Sequence, residues 1–227
     1  MPRDVRTRII AAAIKLVAKG GRDAVTTRAV AEAAGVQPPA LYRLFGDKST
    51  LLDAVADHGF AAYLKTKLVR KPGPDPVEDL RTGWDAHVEF GLANPVIHAL
   101  MYGEPRPGVR SPAAAAAFAI LDEHIRRVAA AGRLRVREDR AANLMHAAGS
   151  GVVMTLLAMP EDRRDLELSA SAREAVIAAI TTHTKPIKQP GPAAAAIALR
   201  AVLPTSTTLL TPAELVLLRE WLDRLAG

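Results

Sequence analysis

The chain contains no cysteine among its 227 residues. That excludes a disulfide frame, a thiolate metal site and a cysteine nucleophile. Aromatic residues make up only 4% of it, too few for a large flat pocket walled by rings. β-Branched residues do not gather into alternating runs, so no strand pattern appears. There is no internal repeat, no glycine-rich phosphate loop and no pairing of carboxylates, or of serine with histidine, at a catalytic spacing. Residues 1–20 lack the apolar centre of a signal peptide, because Arg3, Arg6, Arg8, Lys15 and Lys19 interrupt them. No unbroken apolar run of about 18 residues offers a membrane span. These absences predict a soluble, cytoplasmic protein that is not an enzyme and holds no cofactor or metal.

What is present favours helix. Apolar residues are 49% of the chain, alanine is abundant, and alanine is the best helix former. A chain of this length buries a real core and forms one or two domains. The net charge is +6, and it is unevenly placed. Residues 1–48 carry nine basic side chains (Arg3, Arg6, Arg8, Lys15, Lys19, Arg22, Arg28, Arg43, Lys48) against four acidic ones (Asp4, Asp23, Glu32, Asp47). Most of the excess therefore sits at one end, where it suits contact with phosphates.

That basic end holds the most informative stretch, TTRAVAEAAGVQPPALYRLFGDKSTLL from Thr26 to Leu52. Thr26 or Thr27 can cap a helix whose apolar face is Val30, Ala31 and Ala34. Gly35 stands where the chain must turn. Gln37-Pro38-Pro39 restarts a helix, since proline is tolerated in a first turn where its missing N–H is not needed. Leu41, Tyr42 and Phe45 follow at helical spacing, with Leu41 and Phe45 expected in the core. Gly46 ends that helix and Asp47 caps the next. Two short helices about a glycine turn make a helix-turn-helix.

A first helix over residues 4–19, with Ile10, Ala13, Ile14 and Val17 inside, precedes this unit. A fourth, over 47–69, is too long for a compact reading unit and acts as a connector. After the proline-rich break at 70–76, helices are predicted over 76–93, 95–102, 112–131 and 138–159. The fourth of these mixes small residues with large ones and contains Gly149-Ser150-Gly151; each glycine costs about 1 kcal/mol relative to alanine, which a close helix contact or a kink would explain. Ser171 with Glu174 reads as a capping box for a ninth helix ending near 184. A loop over 185–192 and a short helix over 193–203 come next. Thr211, Pro212 and Glu214 start a last helix with Leu215, Leu218, Trp221, Leu222 and Leu225 on its apolar face. The fold class is all-α. A three-helix N-terminal unit of residues 1–48 leads through its connector into a larger helical domain of residues 70–227.

Over about residues 7–55 the chain resembles the DNA-binding domain of the TetR family of bacterial transcription regulators. Thr27, Ala31, Ala34-Gly35-Val36, Leu41-Tyr42, Phe45, Lys48 and Leu51-Leu52 stand where that family has them. The resemblance implies that Thr27 binds a phosphate at a helix N-terminus and that Arg28 enters the groove. It implies that Gln37, Pro38, Pro39 and Ala40 face base edges at the front of the recognition helix. Tyr42 and Lys48 would clamp phosphates, and Arg43 would touch phosphate or base. It implies a homodimer on palindromic double-stranded DNA, paired through the helices at 138–159 and 171–184. It also implies a larger domain that binds a small-molecule effector and dimerises. Apolar residues with polar handles are the effector candidates: Trp84, His87, Phe90, Met101, Tyr102, Phe118, His124, Met145 and His146. The three histidines His87, His124 and His146 have no metal-ligand spacing. The resulting expectation is a repressor released from its operator by the effector; a ligand-independent DNA-binding activator or repressor is the rival.

Overall fold

The computed structural model describes residues 2–67, 73–103, 106–182, 191–203 and 209–226. Among the described residues there is no strand, only two isolated bridges, Arg106 with Val109 and Leu134 with Thr181. The helices are α1 (Pro2–Gly20), α2 (Thr27–Ala34), α3 (Pro38–Phe45), α4 (Lys48–Lys67), α5 (Pro76–Ala93), α6 (Pro95–Tyr102), α7 (Pro112–Ala130), α8 (Glu138–Ala158), α9 (Glu167–Ile180), α10 (Pro192–Val202) and α11 (Pro212–Ala226). The chain packs as two compact units, residues 1–70 with 90–117 and residues 71–89 with 118–227. Packing thus groups residues 90–117 with the N-terminal helices, although a reading of the chain in order places them beyond the connector.

The first unit is built on the apolar stripes of α1 to α4. Ile9, Ile10, Ala13 and Val17 of α1 meet Val25, Val30, Leu41, Phe45, Leu51, Leu52 and Val55 in one core. Val96, Ile97 and Leu100 of α6 pack against the same core. A second cluster in this unit joins Ala56 and Phe60 of α4 to Phe90, Met101, Ala113 and Ala114. The Phe60 and Phe90 rings meet edge to face at 5.5 Å, and Tyr63 lies 4.6 Å from Phe90.

In the second unit α8 is the central element. Ala141, Ala142, Met145, Gly149, Val152, Val153 and Leu156 are buried. Gly149 is needed for close approach: a Cβ there would stand 3.2 Å from His87 Cδ2 and 3.7 Å from Trp84. A Cβ at Gly151 would meet nothing within 4 Å among the described residues, Gly151 is exposed, and α8 runs on through both glycines. An 18-residue window of α8 has mean hydropathy 1.3, long and apolar enough to cross a membrane by length and composition. Asn143, His146, Ser150 and Thr155 interrupt it, and a core helix passes the same test.

Two expectations need correction. The capping box at Ser171 is not used. Helix α9 begins at Glu167, where Asp165 accepts from the N–H groups of Glu167 and Leu168 at 3.1 and 3.4 Å. Glu174 is instead drawn to arginines: Arg81 donates to it at 2.8–3.1 Å and Arg173 at 2.9 Å. The helix ends at Ile180, where residues 133–135 pair with the following turn: Arg135 N–H donates to Ile180 O at 2.9 Å and Thr182 N–H to Arg133 O at 2.9 Å. On α11, Leu215 and Leu222 are buried as expected, but Trp221 and Leu225 are 51% and 55% exposed. Its packing in the chain is mainly against α10, and one neighbour covers only one stripe. The α11 capping box itself forms, with Thr211 N–H on Glu214 at 2.8 Å and Glu214 N–H on Thr211 Oγ1 at 3.3 Å. Parts of the expected connector end (68–69) and of the loop at 185–192 lie outside the described residues.

The arginine pair holds the Glu174 carboxyl down at about 2, first through the hydrogen bond from Arg81. A carboxyl depressed in the folded state adds stability above its ordinary value near 4.5, and that stability is lost as pH falls toward 2. The Glu174 side chain is 47% exposed, so screening limits the contribution to about 1 kcal/mol. Glu174→Gln should flatten the fall in urea midpoint between pH 4.5 and 2; parallel profiles for parent and variant would refute the assignment.

Candidate nucleic-acid interface

Local chemistry sets each helix end in the first unit. Thr26 is the N-cap of α2, its Oγ1 accepting from Ala29 N–H at 3.1 Å. Val30, Ala31 and Ala34 turn inward. Gly35 closes the helix in the left-handed region at φ 62°, and Val36 N–H reaches back to Ala31 O at 3.0 Å. The chain extends through Gln37, whose side chain makes no capping bond, and Pro38 opens α3. Leu41 and Phe45 are buried, while Tyr42 is 59% exposed and Arg43 is exposed. Gly46 N–H bonds Tyr42 O at 2.8 Å to end α3. Asp47 then accepts from Thr50 N–H at 2.7 Å and caps α4. That bond is the main reason its carboxyl lies below the usual range.

These ends converge. A shallow recess has Thr26, Thr27, Tyr42, Asp47 and Lys48 at its rim and Leu41, Phe45 and Leu51 below. It brings together the start of α2, the middle of α3 and the start of α4. The starts of α2 and α4, the Thr27 hydroxyl, the Tyr42 phenol and the Lys48 ammonium border one small space, and the Asp47 carboxylate on its rim is taken up by Thr50 N–H. Such a space favours an oxyanion. Around it Arg28, Gln37, Pro38, Pro39 and Arg43 are exposed, and Ala40 and Thr27 are half-buried. The nine residues proposed from the sequence thus lie along α2, α3 and the start of α4. Two contributors were not legible there. The Arg6 guanidinium of α1 sits 5.2 Å above the Phe45 ring. Arg106, more than fifty residues downstream, bonds Ser49 and Asp53 of α4. No spacing rule links positions so far apart.

The nine effector candidates divide between the units. Phe90, Met101 and Tyr102 belong to the first. Phe90 and Met101 are core there, and burial pushes the Tyr102 phenol up to about 12. Trp84, His87, Phe118, His124, Met145 and His146 belong to the second. Trp84 Nε1 donates to Ser169 at 3.0 Å, and the Phe118 and His146 rings lie 4.7 Å apart. His124 is held below its ordinary pKa, first by burial. Among the described residues no group of three or more metal-ligating side chains comes together.

Comparison with known proteins places this geometry. Residues 9–55 match the family model described as bacterial regulatory proteins, tetR family. The tetracycline repressor protein class A from transposon 1721 of Escherichia coli is 51% identical over 49 residues, 22% of this chain and 23% of that protein. The chain thus matches less than a quarter of that relative's length. Among solved structures, a protein assigned to the TetR family from Shewanella sp. PV-4 superposes with a TM-score of 0.62 at 20% identity, over 79% of this chain and 99% of that one; this likeness shows the fold. A protein of unknown function from Rhodococcus sp. RHA1 gives 0.60 at 26% identity, over 78% and 96%. TetR-Q116A from Acinetobacter baumannii AYE, solved with minocycline, gives 0.57 at 25% identity, over 75% and 93%.

The cap on α2 offers a direct check. Thr26→Ala removes the hydroxyl that satisfies Ala29 N–H and should destabilise the chain by about 1 kcal/mol. Equilibrium denaturation measures it, and an unchanged midpoint would show that the cap carries no weight.

Proposed function

We propose that the chain is a member of the TetR family of bacterial regulatory proteins, whose family model its residues 9–55 match, and that it is a homodimeric repressor that a small molecule releases from a palindromic operator. The observation that carries the DNA half of this reading is the small recess at Thr27, Tyr42 and Lys48, with Arg28 and Gln37 exposed beside it. Phosphates fix register, and base edges are left to side chains on the exposed face. Arg28 reads a guanine edge with two hydrogen bonds, Gln37 reads a neighbouring edge, and Pro38, Pro39 and Ala40 offer apolar contact to a thymine methyl. Arg43 meets phosphate or base. Because Pro38 and Pro39 bring no hydrogen-bonding side chain, sequence preference rests on Arg28, Gln37 and Arg43 together with DNA shape.

The outer face of α8 supports dimerisation. Leu144, Ala147, Gly151, Met154 and Ala158 are all exposed, at spacings that put them on one stripe opposite the buried one. Small residues on that stripe let a second helix approach closely, which gives the otherwise unexplained Gly151 a use. With α9 packed beside α8, two copies form a four-helix interface. A dimer is also what sets two recognition helices about 34 Å apart, one turn of DNA. The effector reading is supported by the aromatic and histidine side chains Trp84, His87, Phe118, His124 and His146 with Met145, all in the second unit.

Three experiments test this. Arg28→Ala should relax base preference at one operator position by about 1–3 kcal/mol. Lys48→Ala should weaken binding to every sequence and lower the salt slope by about one unit. Binding selections with a random DNA pool read the first, and anisotropy titrations across salt read the second; parent-like behaviour of both variants would overturn the site. For the interface, Met154→Glu should convert the dimer to monomer in sedimentation. A dimer that survives Met154→Glu with unchanged affinity would place the interface elsewhere.

A further inference from the structure

The turn between α6 and α7 reaches α4. Val109 N–H bonds Arg106 O at 3.0 Å across Pro107 and Gly108, and Gly108 has φ 73°. That is the backbone of a tight turn with proline second and glycine third. Arg106 stands at the base of this turn. From there the guanidinium takes both oxygens of Asp53 at 2.9 and 3.0 Å and donates to Ser49 Oγ at 3.1 Å. Ser49 and Asp53 are one turn apart on α4, and Ser49 is the residue after Lys48. All of these residues lie in the first unit.

The contact is not needed to make α4 a helix. Leu51, Leu52, Val55 and Ala56 already bury its inner face, and Asp47 caps its start. The ion pair itself is partly exposed, at 36% for Arg106 and 22% for Asp53, so its direct contribution to stability is small. What three hydrogen bonds from one planar fork supply is orientation. They fix the first turn of α4 against rotation and translation about its buried stripe. We propose that Arg106 is a positioning residue for DNA binding: it holds the first turn of α4 so that the Lys48 ammonium and the N–H groups beside it meet a phosphate in the recess. This rests on the reading of Lys48 as a phosphate contact. It adds that the grip is set from residues outside the helix-turn-helix. It also separates two roles for an arginine near DNA, since Arg106 acts through α4 and does not itself touch the duplex.

The test uses the full chain and a duplex enriched from a random-sequence pool by the parent protein. Anisotropy titrations across salt are run for Arg106→Gln, Asp53→Asn, Arg106→Lys, Lys48→Ala and the double variant Lys48→Ala with Arg106→Gln. Arg106→Gln and Asp53→Asn should each weaken binding about tenfold and lower the salt slope by about one phosphate contact. Their thermal midpoints should stay within about 2 °C of the parent. Arg106→Lys, a point charge without the fork, should fall between Arg106→Gln and the parent. In the Lys48→Ala background, Arg106→Gln should add less than about a twofold loss, because the group it positions is gone. Three results would overturn the proposal. Arg106→Gln could leave affinity unchanged. It could weaken binding while Asp53→Asn does not, which makes Arg106 a direct DNA contact. It could cost as much without Lys48 as with it. A parent that enriches no duplex at all would instead sink the DNA-binding reading, and this inference with it.

Discussion

The reading head depends on the burial of Leu41 and Phe45. Helix α3 has only eight residues, well below the length at which a helix is stable alone in water. It opens with two prolines and closes on a glycine, so its own hydrogen bonds are few. Its orientation therefore comes from outside it. Leu41 and Phe45 sink into the core built from α1, α2 and α4, and the Arg6 guanidinium covers the Phe45 ring. With two of its eight side chains so fixed, the rest of the helix faces solvent in one defined register. Tyr42 and Arg43 are displayed because Leu41 and Phe45 are not. The recess beside α3 exists because the same wedge brings the starts of α2 and α4 to its sides.

Most of this was legible in the sequence, because its causes are local. Thr26 as cap, Gly35 in the left-handed region, proline at the start of α3 and Asp47 as the next cap are each decided within four residues. The same holds for the limits of α5, α6, α8 and α11, where prolines and capping residues mark the chain. Reading failed where a distant partner outcompeted a local one. Ser171 and Glu174 have the spacing of a capping box, but Arg81 lies over Glu174 with a full charge and two donors. A charge-assisted pair outweighs a back-bond to a helix N–H; the carboxylate is turned to the arginines, and the helix begins five residues earlier. Trp221 and Leu225 failed for a related reason. Periodicity says which residues share a face; it does not say how wide a face the neighbours cover.

Helix α8 shows the same limit from the other side. Its sequence is apolar almost all round, which fits a helix buried on every side or one spanning a membrane. The fold covers one stripe and leaves Leu144, Ala147, Gly151, Met154 and Ala158 outside. The two glycines then have different reasons. Gly149 is small because His87 and Trp84 of the same chain press on it. A Cβ at Gly151 would meet nothing within 4 Å among the described residues, and a glycine that costs about 1 kcal/mol in mid-helix needs a use beyond them. Close approach of a second copy is the use that the exposed apolar stripe supports.

The division of the fold matters for how such a head is controlled. Residues 90–117 pack with the N-terminal helices, so the first unit is not the helix-turn-helix alone. Ile97 and Leu100 of α6 lean on its core, and Arg106 grips the start of α4. Helices α5 and α7 each contribute residues to both units. A compact three-helix head on a bare connector would be set only by its own core. Here the geometry of α4 is a compromise between that core and a segment reached much later in the chain. A recognition helix too short to hold itself, beside a connector held from two directions, has an orientation that small shifts in residues 90–117 can bias. That property belongs to the packing of this unit, whatever molecule acts on it.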